Sequence, residues 1–247
     1  MFTVVVPTYR SYTTLVESLN SCNHELIKEV IVVDDNFSNE REQIDKTTNL
    51  SNFKIFFNSR NMGVTYSRNK GYFNASQGFV IFLDSDDVLI KENLERAAKI
   101  ISESKSDLYL FSTVTSGKLN SNSNDIIVGD IVKLFEMANS GERLLVIRKN
   151  KHKPFLGLLR GHELCGLFLW GLKSNAIFEW QPLPLREYSQ GSVSSLSGQR
   201  LSKERATLIS RGHEIIASRL YKIKKLKLSI KYLIKAKYYV FKSNCSR

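Results

Sequence analysis

Two clusters of carboxylates close apolar runs in this chain. Asp34-Asp35 follows Val30–Val33, and Asp84, Asp86 and Asp87 follow Phe79–Leu83 in the turn Leu83-Asp84-Ser85-Asp86-Asp87. In open α/β sheets the ligand crevice lies outside the carboxyl ends of the strands, so acids there stand where a ligand binds. Carboxylate oxygens in a tight turn suit a hard divalent cation, and such a cation neutralises phosphate charge. Taken alone, the turn is equally an Asp-capped strand-to-helix turn ahead of Lys91–Ser102.

These acids need a sheet to hold them. Short apolar runs alternate with longer amphipathic ones through the first half, the pattern of a parallel sheet covered by helices. The runs predict strands at Phe2–Val6, Val30–Val33, Phe53–Phe57, Phe79–Leu83 and Leu108–Phe111. Helices are predicted over Tyr12–Asn20 and Val64–Ala75, and Leu94, Ala97, Ala98 and Ile101 form the stripe of another. Ser116–Asp125 is rich in Ser and Asn and reads as a loop; Ile131–Ala138 and Leu164–Leu172 read as helices. Further short strands are expected near Leu144–Ile147, Ala176–Glu179 and Leu183–Leu185, and a long helix over Ile216–Phe241.

Four segments carry a joint pattern: Val4-Val5-Val6-Pro7-Thr8-Tyr9-Arg10, Val30-Ile31-Val32-Val33-Asp34-Asp35, Asn61-Met62-Gly63-Val64-Thr65-Tyr66-Ser67-Arg68-Asn69-Lys70-Gly71, and Phe82-Leu83-Asp84-Ser85-Asp86-Asp87. In that order and spacing they closely resemble the family 2 glycosyltransferases of GT-A fold, over about residues 2–112 and more loosely over 141–196. The resemblance implies a Rossmann-like, mainly parallel α/β sheet and a UDP-sugar donor. It places Pro7, Thr8, Tyr9, Asp35, Gly63, Arg68, Asp84 and Ser85 around that donor: Thr8 and Tyr9 at the nucleoside, Asp35 on the uracil, Arg68 facing the base and phosphates. Asp86 with Asp84 would ligate Mn²⁺ or Mg²⁺, and Asp87 either shares the metal or caps the next helix. Gly63 lets the backbone approach the ligand.

The second half must then supply an acceptor site and, for an inverting reaction, a general base. The family's Gly-Glu-Asp-like triplet is matched by Gly161-His162-Glu163, which puts Glu163 at the base position and His162 in place of an acid. A Glu at a helix start is also simply favourable to the helix dipole. Arg160, His162, Arg186 and Tyr188 are the candidates for phosphate or acceptor contacts. Tyr188 stands where the family often has a metal-completing His, and a neutral phenol ligates poorly.

The formal net charge of +12 resides entirely beyond residue 199: residues 200–247 hold 14 Lys/Arg against Glu204 and Glu214, and the remainder has 22 of each sign. Apolar residues from Ile216 to Phe241 recur at helical spacing with Lys224, Lys231, Lys235 and Lys242 beside them and Lys227 and Lys237 interrupting the stripe, an imperfect form of the pattern of a helix lying on an anionic membrane surface through residues 215–242. A helix packed on the catalytic domain or on a dimer partner gives the same pattern, so a homo-oligomer is compatible with it. Residues 1–200 are thus expected as the catalytic domain, with 1–112 binding the nucleotide-sugar and 113–200 the acceptor; 201–247 is expected as a basic membrane-associating tail.

No nucleic-acid recognition module is present, so nucleic acid is excluded as a partner. The absence of a glycine-rich phosphate loop counts against a nucleotidyltransferase-like enzyme, and a non-catalytic membrane- or polyanion-binding protein remains the rival class. The N-terminus reads straight into a strand without a leader, cysteines are few, and no apolar run reaches about 18 residues. The expectation is an enzyme on the inner face of the bacterial cytoplasmic membrane. Its acceptor would be an undecaprenyl-diphosphate-linked sugar, as in O-antigen or capsule synthesis by similar family members.

Overall fold

The computed structural model describes residues 1–36, 51–120, 125–137, 142–157, 159, 162–188 and 202–245. Its centre is a sheet whose main path runs β3 (Phe53–Phe57), β2 (Ile27–Asp34), β1 (Phe2–Thr8), β4 (Phe79–Phe82), β9 (Arg143–Arg148), β6 (Leu108–Thr115), β10 (Ile177–Tyr188) and β5 (Val88–Leu89). The short β7 (Lys118–Leu119) and β8 (Ile127–Asp130) pair with β6 and β10. β1 to β4 are mutually parallel, and β9 is antiparallel to both neighbours, so β6 and β10 run in the direction of β4. The expected mainly parallel sheet covered by helices is present.

Period-two alternation sorts each strand between two cores. From β1, Val4 and Val6 pack against α1 (Tyr12–Ser21) and α3 (Leu94–Glu103), while Val5 faces the opposite core with α2 (Val64–Asn74), α4 (Ile131–Glu136) and α5 (Glu163–Ser174). Both faces are covered, which is why β1 and β2 are nearly continuous apolar runs. β10 exceeds the two short strands expected there. Pro182 and Pro184 interrupt the pattern, but the strand continues through register shifts at Gln181/Pro184 and Pro184/Arg186 that accommodate the missing donors.

The C-terminal segment departs most from expectation. Ile216–Phe241 is not one helix but parts of two, α6 (Lys203–Lys222) and α7 (Leu226–Cys245), folded into a hairpin. Lys224 turns the chain with φ 61°, and the bonds Lys225 N–H to Leu220 O and Lys224 N–H to Tyr221 O, both 2.9 Å, close a Schellman motif. Ile216, Ala217 and Leu220 of α6, with Leu228 and Tyr232 of α7, belong to the same core as Val5 and Phe168. The expected tail therefore packs into the core beneath the sheet over its first half. Among the described residues, no helix is long and apolar enough to cross a membrane.

Candidate active site

The parallel register aligns the strand ends: Val5 stands beside Phe82, Thr8 beside Asp34 and Asp34 beside Phe57. Asn58, Asp35, Tyr9 and Asp84 thus emerge in a row along one edge. Pro7 and Thr8 are buried at the end of β1, and Tyr9 is 44% exposed just beyond it. Arg10 follows in the left-handed region at φ 56°, a strained conformation of the kind that collects at functional turns, and its guanidinium lies 5.3 Å from the Tyr9 ring centre.

Asp35 is already engaged. Its Oδ1 accepts from Met62 N (2.7 Å) and Asn58 Nδ2 (2.8 Å), its Oδ2 accepts from Gly63 N (2.6 Å), and the residue is 4% exposed. The carboxylate is the anchor of the loop that opens α2 and is not turned towards solvent. Gly63 itself has φ 89° and ψ 159°, a conformation that L side chains rarely adopt, so glycine is required where the loop turns into the helix. Asn58 was not singled out from the sequence. The available signal was its position directly after an apolar strand, the same offset that marks Asp35.

The acidic turn divides by burial. Asp84 and Asp86 are partly exposed, Ser85 is 9% exposed, and Asp87 is fully buried. Asp87 Oδ2 pairs with Arg186 Nη1 at 2.9 Å, and Asp87 N–H closes the turn on the Asp84 carbonyl at 3.1 Å. Asp87 therefore belongs to the scaffold and is not placed to share a metal. The same contact corrects the expectation for Arg186. Its guanidinium is held by Asp87, Thr113 Oγ1 (3.2 Å) and Glu142 (3.4 Å), with Tyr188 beside it at 5.7 Å, and is 4% exposed. It stiffens the strand-end framework behind the turn and does not reach into the crevice.

Arg68, on α2, is 7% exposed and lies between two carboxylates: Nη2 meets Asp84 Oδ1 and Nη1 meets Glu163 Oε1, each at 2.5 Å. Burial works against its charge, but Asp84 and then Glu163 more than offset this and raise its pKa further. Burial likewise opposes the charge of Asp84, and Arg68 followed by Arg186 overcomes it, holding that carboxyl below its ordinary range. The guanidinium is thus a bridge within the site and not an open phosphate ligand.

Glu163 is the first residue of α5, with about a third of its side chain exposed (35%). His162 is the helix N-cap, its Nδ1 accepting from Cys165 N at 3.3 Å. Its Nε2 lies 3.0 Å from Nδ1 of His213 on α6, which also approaches the Ile209 carbonyl at 2.8 Å. Burial first, then the neighbouring His213, pushes His162 down to about 4; burial also lowers His213. His162 therefore bolts the start of α5 to α6 as a neutral cap and is not presented to an acceptor. A Cβ on Gly166 would lie 2.6 Å from Phe155 Cα and 2.5 Å from Leu156 N, so only glycine lets α5 sit against that backbone. Arg160 lies outside the described residues.

For a divalent cation the turn offers Asp84 and Asp86; among the described residues, no cluster of three or more His, Cys, Asp or Glu could hold a metal ion. That donor set fits an ion of the Mg²⁺ or Mn²⁺ kind, which takes one or two carboxylates and completes its shell with phosphate oxygens and water. The site is thus a carboxylate pair at a strand end, an open aromatic on one side, and a helix-start glutamate on the other.

Over 115 residues the chain is 39% identical to the poly(ribitol-phosphate) beta-N-acetylglucosaminyltransferase TarS of Staphylococcus aureus (strain Mu50), covering 44% of this chain and 20% of TarS. It is 31% identical over 109 residues to the glycosyltransferase GlyA of Streptococcus pneumoniae serotype 4, covering 43% of this chain and 16% of GlyA. The matched stretch is thus no more than a fifth of either relative. The crystal structure of S. aureus TarS 1-349 in complex with UDP-GlcNAc has the same fold, with a TM-score of 0.75 at 22% identity over 95% of this chain and 72% of that one. Residues 3–157 match the model of Glycosyl transferase family 2, more than half of the sequence, and the chain belongs to that family.

Proposed function

We propose that the protein is an inverting glycosyltransferase that moves a hexose or N-acetylhexosamine from a UDP-sugar to a lipid-diphosphate-linked sugar. The observation that carries this reading is the approach of Glu163 to the acidic turn, since one side chain, Arg68, touches both Glu163 and Asp84. The relatives support the donor class: TarS is named as an N-acetylglucosaminyltransferase and has been crystallised with UDP-GlcNAc.

In this mechanism the nucleoside lies across the ends of β1 and β2, against Thr8, Tyr9 and the Met62–Gly63 loop that Asp35 anchors. Asp84 and Asp86 would hold Mg²⁺ or Mn²⁺, which when bound supplies positive charge at the diphosphate. Glu163 accepts the proton of the acceptor hydroxyl as its oxygen attacks the anomeric carbon, and UDP departs from the opposite face. We place the enzyme on the inner face of the bacterial cytoplasmic membrane, in surface-polysaccharide synthesis, because α7 carries exposed apolar residues beside lysines.

A UDP-release panel over UDP-hexoses and UDP-N-acetylhexosamines, with synthetic lipid-diphosphate sugars and with Mn²⁺, Mg²⁺ or chelator, tests the assignment. Turnover with one donor, dependent on acceptor and cation, is expected; no turnover with any UDP-sugar would overturn it. Glu163→Gln is expected to lower transfer at least about 100-fold, the scale of a lost general base, while UDP still binds in calorimetry.

A further inference from the structure

We propose that Arg68 is the positioning residue for Glu163, holding the base of the acceptor half in register with the donor half. The inference rests on the assignment of Glu163 as the base. A glutamate at the first position of a helix and a third exposed has rotamer freedom to lose, and nothing on α5 itself directs it across the crevice. Arg68 supplies that direction from α2. Its planar fork places one nitrogen on Asp84 Oδ1 and another on Glu163 Oε1, so the two carboxylates are set relative to each other by one rigid group.

The fork is itself held. Asn69, the next residue, clamps the Phe155 backbone in both directions, Nδ2 donating to Phe155 O at 2.8 Å and Oδ1 accepting from Phe155 N at 3.1 Å. The Phe155 ring lies 5.7 Å from the Arg68 guanidinium, and the Phe155–Leu156 backbone is what α5 presses on at Gly166. Arg68 and Asn69 therefore tie α2 to the segment under α5 and to the side chain at its start. Being 7% exposed and occupied at both ends, Arg68 acts through Glu163 rather than on the nucleotide. Lysine cannot replace it, because a single ammonium lacks the span to meet both carboxylates in a fixed plane.

Arg68→Gln, Arg68→Lys, Glu163→Gln and the double variant Arg68→Gln/Glu163→Gln test this, read by acceptor-dependent transfer, calorimetric affinity for UDP, and melting temperature. Expected is a fall in kcat of about 100-fold for Arg68→Gln, the effect of a misplaced catalytic group, with UDP affinity within about threefold. Arg68→Lys should fold and still lose most of kcat, and the double variant should transfer no more slowly than Glu163→Gln alone. Losses that multiply in the double variant would overturn the proposal. So would a tenfold or greater loss of UDP affinity with kcat retained, which would make Arg68 a donor ligand. Full transfer by Glu163→Gln would instead remove the base assignment, and the positioning role with it. If Arg68→Gln fails to fold, Arg68→Lys decides: wild-type kcat in that variant would overturn the proposal.

Discussion

Adjacent aspartates in the turn have opposite fates. Asp87 is fully buried on Arg186, whereas Asp86 is partly exposed at the crevice. Removing one partner of a buried ion pair leaves the other charge uncompensated, so Asp87→Asn should destabilise the fold by roughly 3–5 kcal/mol in urea denaturation. Asp86→Asn should cost less stability than Asp87→Asn and weaken cation-dependent UDP binding; an equal loss of stability would show that Asp86 too is scaffold. His162 provides a pH signature. It is pushed down to about 4 from an ordinary 6.5. An unfolded chain takes up this proton as pH falls through 6.5, the folded one only near 4, so the unfolded state binds more protons in that window. Its contribution is therefore full above that window and lost as pH falls through it, up to about 3 kcal/mol in denaturation at about pH 7.5 against about pH 4.5. His162→Asn, which keeps a capping acceptor, should flatten that slope.

Elements were legible where apolar periodicity and burial agree. β3 runs over Phe53–Phe57 as read, and α1, α2 and α5 depart from their expected bounds by a residue or two; α1 and α5 bury Leu15 and Leu19, and Leu167, Phe168 and Trp170, whereas α2 buries mainly polar groups, Thr65, Ser67, Arg68 and Asn69, beside Tyr72. The α6–α7 break was not legible. It has no Gly or Pro, and Lys224 takes the left-handed turn at a steric cost that the Schellman bonds offset. Glycine adopts that conformation without the Cβ clash, so Lys224→Gly should stabilise the protein by roughly 1 kcal/mol, measurable as a raised melting temperature. Unchanged or lowered stability would mean that the lysine side chain contributes at the turn.

At the scale of the molecule, the hairpin separates two apolar faces that sequence spacing merges. Leu228, Tyr232 and Ala236 of α7 are buried, while Leu226, Ile230, Leu233, Ile234 and Phe241 are each more than 40% exposed, with Lys227, Lys231, Lys235 and Lys242 along one side. An apolar stripe flanked by lysines suits an anionic lipid surface. Ile230→Asp/Ile234→Asp should abolish sedimentation with phosphatidylglycerol vesicles at an unchanged melting temperature. Undiminished sedimentation would remove the membrane assignment. Deleting everything from Ile215 onward is a poorer test, because it takes Ile216, Ala217 and Leu220 out of the core.

The sequence alone determined the class of this protein: apolar runs ending in acids, with Gly63 and Arg68 at their spacing, specify a sheet whose carboxyl edge bears the site, because such patterns are local. Tertiary structure decided what each charged group does there. Asp87, Arg186, His162 and Arg68 read as ligand contacts by position, yet three of them complete ion pairs with residues 16 to 99 positions away and His162 meets a histidine on a helix taken for a tail. A buried charge or imidazole must find its partner in space, and spacing along the chain does not carry that information.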